Sequence, residues 1–334
     1  MQILDRSTMD RRSFLRATAS GLLVVGWRAN AAALPRVAFV HNNTPISEVT
    51  DDRDYKAFAR GLRERGFEEG RNIIVVRVSA EGRYDRFPKL MEELVATSVD
   101  VIVAIGPGVG AAMRATRTIP IVAVGTDGLV ESGAVASLAR PGGNVTGLTG
   151  ETGGIELYTK RLQLLHEAAP GASRVAFLGW GPADASQRAS LESAGRALGQ
   201  SIVWANFRTS QDLKTAFATI EKARTDALYV EGMPVSYLHL RDIVEFAARL
   251  KLPAMYEMRE GPEQGGLMSY GSNLADLFSR AASFVDRILK GAQPGDLPVE
   301  QPTRFELVLN RGTAKTLGIN IPQALLRRAD AFVD

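Results

Sequence analysis

From Pro35 onward, short apolar runs alternate with segments whose apolar residues recur every three or four positions, the pattern of parallel strands joined by covering helices. Arg36 to Val40 reads as a buried strand. Tyr55, Phe58, Ala59 and Leu62 then share one helical stripe, with Gly66 as its stop. Asn72 to Val78 is a second strand, and Phe87, Leu90, Met91, Leu94 and Val95 stripe a second helix. Val99 to Ile105 and Ile119 to Val124 are apolar runs too short for buried helices, so both read as strands, separated by a helical stretch from Gly110 to Thr116. The turn-forming cluster Ala139 to Asn144 interrupts the rhythm, and Val145 to Leu148 resumes it.

A second series of the same kind follows. Helices are predicted over Leu157 to Ala168, Ala189 to Leu198, Leu213 to Ala223 and Leu240 to Leu250. Strands are predicted over Arg174 to Leu178, Ser201 to Ala205, Ala227 to Val230, Pro253 to Tyr256 and Leu267 to Tyr270. A long helix from Leu274 to Leu289 ends at Gly291, and the tail is long enough to return to either half. Two similar α/β halves joined by several crossovers imply a cleft between lobes, because ligands of open parallel sheets bind beyond the carboxyl ends of the strands.

Ahead of Pro35 the pattern changes. Asp10 to Arg16 reads DRRSFLR, Ala17 to Trp27 is an 11-residue run without charge, and Ala29-Asn30-Ala31 follows. Such a run is far short of the ~20 residues that span a bilayer, whereas a basic, apolar, small-x-small order is that of an export signal. The arginine pair followed by Phe14-Leu15 points to the route that carries folded proteins. A soluble, periplasmic mature chain starting near Ala32 is expected.

Charge then changes meaning. The chain of 334 residues has a formal net charge of +3, but residues 1–31 hold five arginines and two aspartates and so account for all of it. The remaining 35 bases and 35 acids balance, and no nucleic-acid partner is implied. With no cysteine, a disulfide framework, a thiolate zinc site, a cysteine nucleophile and a lipid-anchored amino-terminal cysteine are excluded. His41, His166 and His239 lie too far apart in sequence to suggest a metal cluster, and no serine has a G-x-S-x-G setting.

Several strings occur together in a fixed order. They are Gly61-Leu62-Arg63-Glu64, Glu69-Gly70-Arg71-Asn72-Ile73, VDVIVAI from Val99, TIPIV from Thr118 and SLARPGGNVTG from Ser137. GLMSYG from Gly266, VDRILKG from Val285, LPVEQPTRFELVL from Leu297 and TAKTLG from Thr313 complete the set. Through these the chain resembles the periplasmic substrate-binding proteins of ABC importers, in the group similar to tryptophan/tyrosine-binding proteins. The resemblance implies an α/β, type I periplasmic-binding-protein fold of two Rossmann-like lobes with parallel sheets joined by three hinge crossovers. It also implies a monomer without cofactor or catalysis that delivers a small molecule to ABC permease membrane subunits. Residues 1–31 would be the twin-arginine export signal, 35–144 with 272–300 the N-terminal lobe, and 145–271 with 301–334 the C-terminal lobe. Gly142-Gly143 and Gly271 offer cheap dihedral change for the hinge.

Candidate ligand-binding residues come from the strand-end loops. The first lobe supplies His41, Asn42, Gly106, Pro107, Gly108, Thr126 and Asp127, and the second Trp180, Glu231, Met233, Tyr256 and Tyr270. Trp180, Tyr256, Tyr270 and Met233 suit the walls of a slot for an apolar or aromatic ligand, or else core packing. A helix starting just after Gly108 would offer free N–H groups to a carboxylate. By analogy with amino-acid binders of this fold, Thr126 would share that role and Asp127 or Glu231 would take an ammonium. Both acids also fit helix caps. Relatives usually carry a threonine where this chain has Gly106-Pro107-Gly108, which leaves amino acids, other carboxylates and neutral compounds open.

The rival is an exported NAD(P)-dependent oxidoreductase. Gly106 to Ala111 fits G-x-G-x-x-A between strand and helix, with Asp127 after the next strand. That fingerprint belongs to the first βα turn, however, whereas two βα units precede it here and proline interrupts it. The export assignment is checked by changing Arg11 and Arg12 together to lysine, which is expected to leave precursor in the cytoplasm on fractionation. Normal periplasmic accumulation would reject the twin-arginine route.

Overall fold

The computed structural model describes residues 33–150, 154–179 and 185–334. The export signal assigned to residues 1–31 and the wall position assigned to Trp180 lie outside them. The first lobe begins with β1 (Arg36–His41), α1 (Arg53–Arg63), β2 (Ile74–Ser79), α2 (Phe87–Ala96), β3 (Val101–Ile105), α3 (Pro107–Ala115), β4 (Ile121–Val124) and β5 (Val145–Gly147). The chain then builds the second lobe from α4 (Gly154–Ala168), β6 (Arg174–Gly179), α5 (Ala185–Ala197), β7 (Ser201–Asn206), α6 (Ser210–Ala223) and β8 (Ala227–Val230). It continues through α7 (Pro234–Leu238), α8 (Leu240–Arg249), β9 (Ala254–Tyr256), α9 (Glu260–Glu263) and β10 (Met268–Ser272). Helix α10 (Leu274–Leu289) returns to the first lobe, and β11 (Phe305–Asn310), α11 (Arg311–Leu317), α12 (Gln323–Leu326) and β12 (Ala331–Val333) to the second.

Strand order is β2-β1-β3-β4-β5 in one sheet and β12-β11-β10-β9-β8-β6-β7 in the other. All pairings are parallel except β10 with β11. Both faces of each sheet are covered, which explains the unbroken apolar runs. Along β1, Val37 and Phe39 enter the core shared with α1 and α10, while Ala38 and Val40 enter the one shared with α2 and α3. The second lobe repeats this on β6, where Val175 and Phe177 face α4 and Ala176 and Leu178 face α6 and α8. The fold is therefore the expected two-lobe α/β architecture.

The crossings differ in detail from the sequence expectation. Val145–Gly147 pairs with β4, so the chain leaves the first sheet after Gly147 and not after Asn144. Gly142 lies in a turn within the first lobe, its N–H donating to Gly295 O at 3.1 Å, and Gly271 sits inside β10 opposite Glu306. The return segment stays with the first lobe as far as Glu300, whose N–H donates to Gly147 O at 2.9 Å.

Helix α1 starts at Asp52, whose Oδ1 accepts from the N–H groups of Asp54 and Tyr55 at 2.8 and 3.3 Å. It lies so close to α10 that a Cβ on Gly61 would stand 2.3 Å from Ser279 O. Gly61→Val is expected to lower stability by about 1–3 kcal/mol through overpacking. Gly143→Ala, where a Cβ meets nothing within 4 Å, should change it little. Urea denaturation of both variants checks this.

Candidate functional site

Because strands run parallel, their carboxyl ends converge on one edge of each sheet, and the loops there face one another across a cleft of about 1000 Å³. The loops after β1, β3 and β4 line it from the first lobe, and those after β8 and β9 from the second. The lobes touch across its mouth. Arg53 at the start of α1 reaches Glu260 at 3.1 Å and Glu263 at 3.4 Å on α9. Tyr84 donates from its hydroxyl to Asn43 Oδ1 at 2.9 Å and lies 3.3 Å from Pro234 O in the other lobe. Burial pushes that phenol up to about 12. Ser272 Oγ donates to Gly150 O at the base.

In the first wall, His41 Nδ1 accepts from the N–H groups of Asn43 and Thr44 at 3.3 and 3.1 Å. Burial lowers the pKa of the ring against the smaller pull of Asp52, so the neutral imidazole carries its proton on Nε2. His41, Asp52 and Asp54 bring ligand atoms within 4.8 Å of one another. With Nε2 protonated, this corner presents a hydrogen-bond donor where a metal would need a lone pair. Asp52 Oδ2 accepts from Thr44 Oγ1 at 2.9 Å. Asp54 is 7% exposed, and its Oδ1 has no hydrogen-bond partner among the described residues. Burial pushes its pKa up to about 7, with Arg53 pulling it down and Glu260 and Asp52 adding to the rise.

Part of the loop after β3 has no amide to offer a ligand. Gly106, at φ 48° where a side chain would be strained, donates its N–H to Thr126 Oγ1 at 2.8 Å, Pro107 has none, and Val109 N–H returns to Gly106 O at 3.0 Å. This removes most of a phosphate cradle and speaks against dinucleotide binding. Thr126 in turn donates to Val124 O at 3.0 Å, so its proton is not offered to a carboxylate. Asp127 Oδ1 accepts from Gly150 N at 3.0 Å and ties the β4 loop to the β5 loop.

The second wall rests on a buried ion pair. Arg161 of α4 is fully buried, its Nη1 lying 2.8 Å from Glu257 Oε1 and its Nε donating to Tyr270 O at 2.6 Å. Tyr229 Oη donates to Glu257 Oε1 at 3.0 Å and Gly232 N to Oε2 at 2.9 Å, which aims Glu257 into the cleft. Glu231 accepts from Tyr158 Oη at 2.9 Å.

Of the sequence candidates, His41, Asn42, Gly106, Pro107, Thr126, Asp127 and Met233 line the cleft together. Gly108 packs under it against Val40 and Phe87, and Glu231 accepts from Tyr158, which itself lines the cleft. Tyr256 is corrected to a core residue: it is 0% exposed and wedged against Gly261 and Gly266. Tyr270 is corrected likewise, since its ring stacks on Phe305 instead of facing the cleft. Asp54, Arg53, Tyr84 and Glu257 were not picked from sequence. The pairing of Asp52 with the helical stripe beginning at Tyr55 is a capping signal that could have drawn attention to the first of them.

A profile of the family described as ABC transporter substrate binding protein matches residues 41–333. The chain is similar to a tyrosine-binding protein of Clostridioides difficile, 25% identical over 283 residues that span 82% of this chain and 80% of that protein. A conserved domain protein from Vibrio cholerae is 27% identical with a TM-score of 0.76, covering 90% of this chain and 99% of that one. An ABC domain from Streptococcus pneumoniae solved with L-Trp is 23% identical with a TM-score of 0.76, over 90% of this chain and 100% of that one.

Removing one partner of a buried pair strands the other charge without water. Arg161→Met is expected to cost about 3–5 kcal/mol, and adding Glu257→Gln should recover part of it. A double-mutant cycle by urea denaturation measures both.

Proposed function

The chain belongs to the family of ABC transporter substrate binding proteins, and from this we propose that it captures a small aromatic or amino-acid solute between its lobes outside the cytoplasm and hands it to the membrane permease of an importer. The observation that carries this reading is the cleft itself, lined by the strand ends of both sheets and bridged by Arg53 and Tyr84. A ligand can shift the balance of open and closed forms only by binding them differently, and contacts drawn from both lobes provide that difference. The similarity to a tyrosine-binding protein and to a domain solved with L-Trp supports an aromatic amino acid or a compound of that size.

In this reading, residues 35–147 with 274–300 move as one body and residues 154–272 with 305–333 as the other, swinging on three chain crossings. The mature protein acts as a monomer after export by the twin-arginine route. No described helix is long and apolar enough to cross a membrane, in keeping with a freely diffusing carrier.

A thermal-shift screen of the mature protein against aromatic amino acids, aromatic acids and short carboxylates tests the reading. At a hundredfold excess over Kd, the right class should add about 2.7 kcal/mol of stability. Small-angle scattering with that ligand should show a smaller radius of gyration, and an unchanged radius at saturation would reject lobe closure. Saturable binding of NAD or NADP would favour the oxidoreductase.

A further inference from the structure

A second group of reactive side chains stands outside the cleft, where the second lobe's chain has left β7 and β8. Ser210, the first residue of α6, places its Oγ 2.7 Å from His239 Nε2, and His239 Nδ1 lies 3.2 Å from Asp242 Oδ2. His239 joins α7 to α8, and Asp242 is in the first turn of α8. None of the three lines the cleft. An ionised carboxylate can only accept, so Asp242 takes the Nδ1 proton of the neutral imidazole, and Nε2 is left to accept from the Ser210 hydroxyl. Hydroxyl, imidazole and carboxylate in that order are the arrangement that activates a serine as a nucleophile.

Helix capping does not account for these contacts. Thr209 caps α6 with its own hydroxyl, Asp212 completes that capping box, and His239 makes no side-chain capping bond at α8. The start of α6 adds a further element. The N–H groups of Ser210 and Gln211 belong to its first turn, where no carbonyl of the helix precedes them, so the positive end of a 14-residue helix adjoins the serine. Amides so placed can stabilise the oxyanion that forms when a nucleophile adds to a carbonyl.

We propose that Ser210, His239 and Asp242 form a hydrolytic site, separate from the solute cleft, that cleaves small carboxylic esters through an acyl-Ser210 intermediate. This goes beyond solute capture and does not depend on it.

Ser210 Oγ bonds to the ester carbonyl carbon as its proton passes to His239 Nε2. The bond to the alkoxy oxygen then breaks, and that oxygen leaves as the alcohol, carrying the proton. Water adds to the acyl carbon and gives a proton to Nε2, and the carboxylic acid departs as Oγ recovers its proton. Ester and water are the sole reactants. Ser210 and His239 are the catalytic residues, while Asp242 acts through the imidazole as a positioning residue. Its side chain is 62% exposed, so water screens its charge and it supports an imidazolium less than a buried carboxylate does. That restricts the site to esters with a good leaving group. Ser210 is itself exposed, which admits such an ester from solvent.

The test follows p-nitrophenolate release from p-nitrophenyl acetate by the mature protein, together with labelling by a fluorophosphonate probe read by peptide mass spectrometry. Ser210 is expected to carry the label. Ser210→Ala should lower the protein-dependent rate by roughly 100-fold, the low end for a positioned general base, and leave the thermal midpoint unchanged. Asp242→Asn should slow the reaction and Asp242→Glu should restore most of it, a recovery that a merely structural contact would not show. A rate retained in Ser210→Ala, a label on another residue, or the wild-type rate in Asp242→Asn would overturn the site. Should the variants fold poorly, labelling of the wild type decides alone, and an unlabelled Ser210 overturns the proposal while leaving solute binding untouched.

Discussion

Arg161 leaves α4 with its side chain wholly out of water, and a guanidinium stripped of its hydration has to find equivalent partners inside the protein. Its partners belong to successive strands: Glu257 just after β9, the Tyr270 carbonyl in β10 and, at the long distance of 3.5 Å, the Tyr229 hydroxyl in β8. One cation therefore links three neighbouring strands. Glu257 is held on its second oxygen by Gly232, which in turn sets the course of the loop after β8. The shape of the second lobe's cleft face follows from satisfying this one charge.

The first lobe is built on the opposite balance. Its sheet edge carries groups whose hydrogen bonds close locally, such as Thr126 onto Gly106 and Asp52 onto the start of α1, and beside them groups left open. Open buried acceptors lower stability, so a fold that retains them gives up free energy which a bound molecule can restore. Among the described residues that line the cleft, the buried side-chain atoms without a hydrogen-bond partner belong to the first wall.

Much of this was legible in the sequence because burial of both sheet faces leaves a strong signal. Ala227–Val230 and Leu274–Leu289 have the bounds their apolar patterns predicted, and among the strand ends read from sequence those after β1, β3, β4, β8 and β9 border the cleft. The first crossing was misplaced because Val145–Gly147 is only three residues long, and its membership of the first sheet depends on pairing with β4, a contact far away in sequence. Tyr256 was chosen over its neighbour Glu257 because composition favours an aromatic wall, but successive side chains at a strand end point to opposite sides, and Tyr256 takes the inner one. Arg161 gave no signal at all. An arginine in a helix next to Lys160 reads as a solvated face, and only the packing of α4 on β9 and β10 puts it inside.

The makeup of the two walls bears on why closure, as proposed, would depend on the solute. The second lobe's carboxylates are occupied by arginines, and what it leaves available on the cleft includes the flat or flexible surfaces of Met233, Pro234 and Met258. The first lobe offers the unfilled polar positions, while at its α3 N-terminus the Gly106 and Val109 amides are already bonded and Pro107 has none. Apolar surface lines both walls, since Ile105, Val109, Met113 and Leu129 border the cleft from the first lobe. A small molecule held by its polar end in the open form would still expose its apolar body to water, and bringing the second lobe across removes that surface at about 25 cal/mol per Å². In the proposed mechanism closure gains in proportion to the apolar surface the solute carries, and a molecule with too little apolar body would occupy one lobe without drawing the other over it.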